Sequence, residues 1–310
     1  MNAQNRHIIG IGLVNVDHVA FVPFWERDQK TTVSTLLEQV GGPVPIALAT
    51  MARQGLAKMD LLASVGEDDD GNYIVSWLEK EGIGTGHLWR GTGRTSRSLV
   101  LVDERDGSRT VANDAGTLAA PVLSESQHTL LRSAYLLHTD GRDPETVRTA
   151  AQIVRASGGI VSWDLGTMRP GREILLDCCD IILASRRGGA GTFPAAADDP
   201  AEQVRLFLRQ GAMIAGVTLG SDGVLIGTRE AGVRHLPAYP VEKPVDTCGA
   251  GDVFHGAFFA AFLQGADAFE AADWAQKSAG CRIRFRGNDR GIPSRQTIEN
   301  TGFPAETRPS

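Results

Sequence analysis

The chain has 310 residues, with 31 Lys and Arg against 37 Asp and Glu, and a formal net charge of −6. That length suits one large α/β domain with a substantial core, and the acidic balance leaves no footprint for nucleic acid. No apolar run nears the ~20 residues that span a bilayer, Met1 to Arg6 hold no signal-peptide core, and Cys178, Cys179, Cys248 and Cys281 show neither a disulfide framework nor metal-ligand spacing, so a reduced, cytoplasmic protein is expected.

Short apolar runs alternate with amphipathic stretches, the pattern of a mostly parallel sheet with helices on both faces. A first strand is expected over 7–14. It carries Gly10-Ile11-Gly12-Leu13-Val14-Asn15, which lacks the third glycine of a dinucleotide fingerprint. No helix follows, since 17–25 contains Pro23 and has no helical period, and this speaks against a hydride-transfer Rossmann site. Asp17 closes the strand, where open α/β sheets gather ligands; it reads as an acceptor for two hydroxyls or as a turn-forming Asp. Gly41-Gly42 let the backbone approach a ligand closely before a helix over 43–54 that begins at Pro43.

A strand over 60–65 and a helix over 72–81 come next. Runs 96–102 and 108–113 are joined by Asp103-Glu104-Arg105-Asp106-Gly107, a hairpin signal. With 21–40 they make a small sheet projecting from the main body, either a lid or a static hairpin. Further strands are expected over 135–138, 160–164, 181–183, 213–218 and 224–228. Helices are expected over 144–156, 201–210, 252–263 and 269–285, and Val147, Ala150, Ala151 and Val154 mark the buried face of the first of these. The tail from Asn300 reads as a frayed terminus.

The most informative segment is Asp246-Thr247-Cys248-Gly249-Ala250-Gly251-Asp252, opening an apolar helix. Three small residues let backbone N–H groups turn toward one point, and the helix N-terminus adds its positive dipole end, so that point suits a phosphoryl group. A carboxylate beside an anion makes sense as a base that takes a proton from an attacking hydroxyl. Taken alone, the segment also reads as a helix start with Asp in its first turn. His255, among Phe and Ala, reads as a packed core residue.

Residues 246–256 resemble the C-terminal signature of the ribokinase-like (PfkB) carbohydrate kinases. The segments 12–17, 41–55, 65–71 and 217–223 resemble further motifs of that family in order, over nearly the whole chain. The resemblance implies a single kinase domain over 1–310, a ribokinase-like three-layer α/β/α sandwich with lid strands from about 17–40 and 95–114. It implies an ATP-dependent enzyme, with Mg²⁺, that phosphorylates a sugar. Asp252 would be the base, and Gly249, Ala250 and Gly251 would hold the transferring phosphoryl group. Asp17, Gly41 and Gly42 would hold the sugar, and Thr218, Gly220, Ser221, Gly223, Thr247, Gly249 and Gly251 the nucleotide. Dimerisation through the lid sheet is expected with it.

Two departures stand out. Ile46 occupies a position where many members carry a sugar-binding Asn. Ser185-Arg186-Arg187-Gly188 stands where the family often shows a metal-organising Asn-x-x-Glu, so the metal ligands are unknown and a non-catalytic binding protein stays open as an alternative. Arg142, after the strand 135–138, with Asn113 and Lys30 from the lid segments, reads as a group converging on one end of the substrate. In this triad, in Ser185-x-x-Gly188 and in Gly291-Ile292-Pro293 the chain resembles kinases of 6-deoxy-6-sulfofructose. Ketohexokinases also carry Gly-Arg after this strand, and Arg142 has Asp140 and Asp143 beside it. A ketose is therefore expected, with an anionic sugar, a neutral ketohexose or a 2-keto-3-deoxy sugar acid left open.

Overall fold

The computed structural model describes residues 6–302. The chain begins with β1 (Ile8–Ile11) and leaves the main sheet at once for β2 (Asn15–Val22) and β3 (Thr35–Gly41). It returns through α1 (Pro43–Arg53), β4 (Met59–Leu62), β5 (Ser64–Gly66) and α2 (Asp69–Lys80), and β6 (Trp89–Gly91) leads to the hairpin strands β7 (Arg97–Asp103) and β8 (Arg109–Asp114). The alternation then runs α3 (Glu125–Arg132), β9 (Leu136–Thr139), α4 (Pro144–Ala156), β10 (Ile160–Leu165), β11 (Ile181–Ser185), α5 (Arg186–Thr192), α6 (Pro200–Gln210) and β12 (Ile214–Thr218). Antiparallel β13 (Val224–Thr228) and β14 (Gly232–Leu236) follow, and α7 (Ala250–Leu263), α8 (Ala268–Arg282), α9 (Asn288–Gly291) and α10 (Arg295–Asn300) complete the chain.

Eight strands form the main sheet in the order β14-β13-β12-β11-β10-β9-β1-β4, parallel from β12 to β4. Successive strand residues feed opposite faces, as the pleat requires. Ile8 joins the core under α1, α2, α7 and α8, whereas Ile9 joins the core under α4 and α6. This is the expected three-layer sandwich. The predicted face of α4 (Val147, Ala150, Ala151, Val154) is buried.

A second sheet runs β3-β2-β7-β8. Its pairing sets Gln39, Asp17, Ser98 and Asn113 in one row across four strands. Because side chains alternate, all four belong to one face. Beside this row the same face carries Val19, Phe21, Val100 and Val102, a small apolar cluster closed by Leu37 and Cys248.

The first strand ends earlier than expected. Gly12 has room for no side chain, since a Cβ there would stand 2.6 Å from both Asp140 Oδ1 and Val44. The chain bends, and Asp17 lies on β2 of the second sheet rather than closing β1. The hinge is fixed on the other side by Asp68, which caps α2 through Gly71 N (2.9 Å) and accepts from Thr95 N (2.8 Å). Elements α3, α5 and β14 lie where no element was expected. The expected frayed tail begins inside α10, and its last eight residues lie outside the described residues.

Candidate active site

The loop before α7 is built for close approach. Gly249 stands at φ 72°, in the left-handed region that L side chains avoid. The Ala250 amide reaches Thr247 O at 3.4 Å, while the amides of Gly249, Gly251 and Asp252 carry no hydrogen bond to the described protein. Gly251 is exposed, and a Cβ built on it meets nothing within 4 Å. Unbonded amides at a helix N-terminus, with open space before them, suit an anion.

Beneath the loop lies an ion pair that sequence reading missed. Asp246 and Arg282 are both fully buried, 3.1 Å apart. Asp246 also accepts from Cys248 N (2.9 Å) and Gly287 N (3.0 Å), and Arg282 donates to Phe285 O (2.9 Å) and Asn288 Oδ1 (3.3 Å). The available signal was spacing: Ala275, Ser278 and Arg282 recur on the buried face of α8.

Asp252 lies in the first turn of α7. Burial raises its carboxyl to about 6; the guanidinium groups of Arg109 and Arg282 oppose the rise, and Asp17 and Asp140 add to it. A carboxylate that titrates near working pH suits a general base. One turn along, His255 Nε2 lies 3.3 Å from Asp164 Oδ1, at the carboxyl end of β10. Burial and the neighbouring Asp252 push the Asp164 carboxyl well up, and burial pushes the His255 imidazole well down. His255 thus contacts a carboxylate that lies within the field of Asp252.

Asp17 is held from its own sheet. Asn15 Nδ2 donates to it and to Ser98 Oγ, each at 2.6 Å, and Ser98 Oγ donates to Asn113 Oδ1 at 3.3 Å. Burial raises the Asp17 carboxyl, with the Asn15 and Ser98 hydrogen bonds pulling the other way. Next to it, the buried Gln39 side chain also pulls the Asp17 carboxyl down, while its Oε1 accepts from Asn288 N at 2.7 Å. Gly41 is glycine because a Cβ would overlap the Asp17 carboxylate, and Gly42 because its φ is 106°. Ile46 is buried in the core below.

Arg142 follows β9 in a turn fixed by Asp140, which accepts from Leu13 N (2.9 Å) and Arg142 N (2.8 Å). The Arg142 guanidinium touches Asp143 only at 3.9 Å. It lines a cavity of about 290 Å³ together with Gly12, Leu13, Ser64, Ser96 and Thr146, and is the one cation among the described lining residues. Arg172, half-buried after β10, is a further missed cation: burial lowers its pKa, and the Asp140 carboxylate opposes this. Lys30 lies in the exposed loop between β2 and β3. That loop is anchored by Trp25 N on Asp103 (3.2 Å) and Ser34 N on Phe21 O (2.8 Å), at the far end of the second sheet from Asp17. Lys30 makes no hydrogen bond or ion pair with Asn113 or Arg142.

Thr218 ends β12, half-buried, and a tight turn closed by Leu219 N on Gly223 O (2.7 Å) leaves Gly220 and Ser221 exposed. Ser185 caps α5, accepting from Gly188 N at 3.0 Å and donating to Gly166 O at 2.6 Å. A Cβ on Gly188 would overlap Leu165 O, so this packing leaves no room for an acidic side chain. No group of three His, Cys, Asp or Glu able to hold a metal occurs among the described residues. A Mg²⁺ ion carried on nucleotide phosphates takes most of its ligands from phosphate and water.

A family model described as pfkB family carbohydrate kinase matches residues 5–295. The chain belongs to that family. This carbohydrate kinase is thus an ATP-dependent phosphotransferase of ribokinase-like fold. It is similar to a ribokinase of Haemophilus influenzae, 27% identical over 297 residues, covering 93% of this chain and 96% of the relative. It is similar also to an ATP-dependent ribose-1-phosphate kinase of Halopiger xanaduensis, 28% identical over 277 residues, covering 88% and 90%. A ribokinase of Arabidopsis thaliana, solved with ribose and ATP, matches with a TM-score of 0.80 at 20% identity, covering 96% of this chain and 98% of that one. At that identity the likeness is one of fold.

Proposed function

We propose that this kinase transfers the γ-phosphoryl group of ATP to a primary hydroxyl of a ketose that carries an oxyanion at its far end, 6-deoxy-6-sulfofructose being a chemistry that fits. The observation that carries the transfer step is Asp252, a carboxyl raised to about 6, standing beside three unbonded amides at the start of α7. Asp17 and the polar row around it would hold the sugar hydroxyls. Asp252 takes the hydroxyl proton, the sugar oxygen bonds to the γ-phosphorus, and the bond from that phosphorus to the bridging oxygen breaks, releasing ADP. The amides of Gly249, Gly251 and Asp252 bind the charge on the transferring group. The turn at Gly220 and Ser221 lies along the nucleotide, and Mg²⁺ bound to the phosphates would neutralise part of their charge.

Arg142 supports the oxyanion. Its cavity is otherwise neutral apart from Asp143, its guanidinium is not engaged by Asp140, and a planar fork suits sulfonate or phosphate. The Halopiger relative is named for a sugar phosphate. The test is kcat/KM for sulfofructose, fructose 6-phosphate, 2-keto-3-deoxygluconate, fructose and ribose in wild type and Arg142→Ala. The acidic sugars should lead, and should lose about tenfold more than fructose in the variant, the scale of one charge-assisted contact. If fructose is as good and loses as much, the substrate is a neutral ketose.

On the outer lid face Leu36 and Leu99 are 69% and 63% exposed. We assign that face to a homodimer. The described cysteines are free, in keeping with a cytoplasmic protein, and no described helix is long and apolar enough to cross a membrane.

A further inference from the structure

The lid hairpin rests on the anion loop. Both the amide and the hydroxyl of Thr247 donate to Gly107 O in the hairpin turn, at 3.1 and 2.8 Å. Gly107 adopts φ 70°, and a Cβ there would stand 3.0 Å from Pro244 O, so the turn lies tight against the irregular segment leading into the loop. Two residues on, Arg109 opens β8 opposite Val102 and places Nη1 3.4 Å from Thr247 Oγ1.

Arg109 differs from the cations around it. Arg105 is matched by Asp103, Arg286 by Glu104 and Arg282 by Asp246. Arg109 is exposed and forms no ion pair among the described residues. The charged groups acting on Asp252 come from every side: Asp17 from β2, Arg109 from β8, Asp140 from the turn after β9, Asp164 from β10 and Arg282 from α8. Three are carboxylates, and of the two cations Arg282 is neutralised by Asp246.

We propose that Arg109 is a catalytic residue of the transfer step, a guanidinium supplied by the lid to the anion loop, where it binds the transferring phosphoryl group and faces the Asp252 carboxylate. This rests on the kinase reading above. Arg109 makes and breaks no covalent bond. Its N–H groups bind phosphoryl oxygens as the sugar oxygen joins phosphorus and ADP departs, the geometry in which a planar fork is most effective. Because it sits two residues past the contact with Thr247, the cation is in place only while the hairpin is docked. Lid docking and charge delivery are then one event, and a site with water still in it lacks the cation.

The test uses Arg109→Ala and Arg109→Lys in the full chain; the side chain is exposed, so neither change threatens folding. In Arg109→Ala, kcat should fall by about 10²-fold with the sugar KM within about threefold of wild type. Removing a cation raises the pKa of a nearby carboxyl, so the acid limb of the kcat profile should move to higher pH. Calorimetry should find ADP binding unchanged, while ADP with aluminium fluoride, a mimic of the phosphoryl in flight, binds about tenfold more weakly. Arg109→Lys should restore the acid limb and only part of kcat. A kcat within about threefold of wild type, or a fall in kcat with the acid limb and aluminium fluoride affinity unmoved, would reduce Arg109 to an anchor for the hairpin. A wild type inactive on every sugar overturns the kinase reading, and Arg109 with it.

Discussion

The anion loop and the lid sheet face each other but are held by different physics. The loop leads into a helix buried on all sides, from Val253 through Ala261, and rests on the ion pair of Asp246 and Arg282, neither of which meets water. The lid is one sheet thick. Its inner face has a cluster of four buried apolar side chains, and its outer face shows Leu36 and Leu99 to solvent. Groups that must be in place before reaction belong on the first kind of support, and groups that must admit a substrate on the second.

The largest effect should come from breaking the rigid side. Arg282→Met leaves Asp246 buried without a counter-charge, which should cost about 3–5 kcal/mol of stability. Urea denaturation measures it. A loss below about 1 kcal/mol would mean that the loop does not depend on the pair. Asp252→Asn comes next: kcat should fall about 10²-fold or more with ATP and sugar affinities nearly unchanged. A variant that keeps a tenth of the activity removes Asp252 as the base.

The wild-type pH profile sharpens the same point. The base works ionised, so kcat should rise with pH through about 6, where burial places Asp252, and level off above it. An acid limb near the ordinary carboxylate pKa of about 4 would show that this burial does not survive substrate binding. Gly251→Val should weaken ATP binding about tenfold without moving Tm, because the added side chain meets the ligand's space and no protein atom. The smallest effect on turnover belongs to the outer lid: Leu99→Asp should split a dimer, seen by light scattering, with kcat within about twofold of wild type.

How much of this was legible in the sequence depends on how far apart the partners lie. The strands β9 to β13 and the face of α4 were readable because hydrophobic period is local, and the anion loop because seven consecutive residues carry it. The end of β1 was misread because Val14 and Val16 continue the apolar pattern, and the bend at Gly12 depends on Asp140 and Val44, far along the chain. The placement of Arg109 and Arg282 beside the loop, and of Gln39 beside Asp17, was not readable. The bond from Asn288 N to Gln39 Oε1 (2.7 Å) joins positions 249 residues apart, and no spacing rule reaches so far. The helix α3 did carry a signal: Ser124 and Gln127 form a capping box.

The row Gln39, Asp17, Ser98 and Asn113 takes one residue from each lid strand at a single register position. On the proposed role of this row, each strand would contribute an independent letter to sugar recognition, and any one could change without a change of backbone. The same arrangement punishes slippage. Sliding β2 by one residue would turn Asp17 outward and bring the larger His18 side chain to the place beside Gly41 that the Asp17 carboxylate now fills. Substrate choice in this fold is thus open to point mutation but closed to small insertions in the lid strands, and descendants of this enzyme should diversify by substitution there, keeping strand lengths fixed.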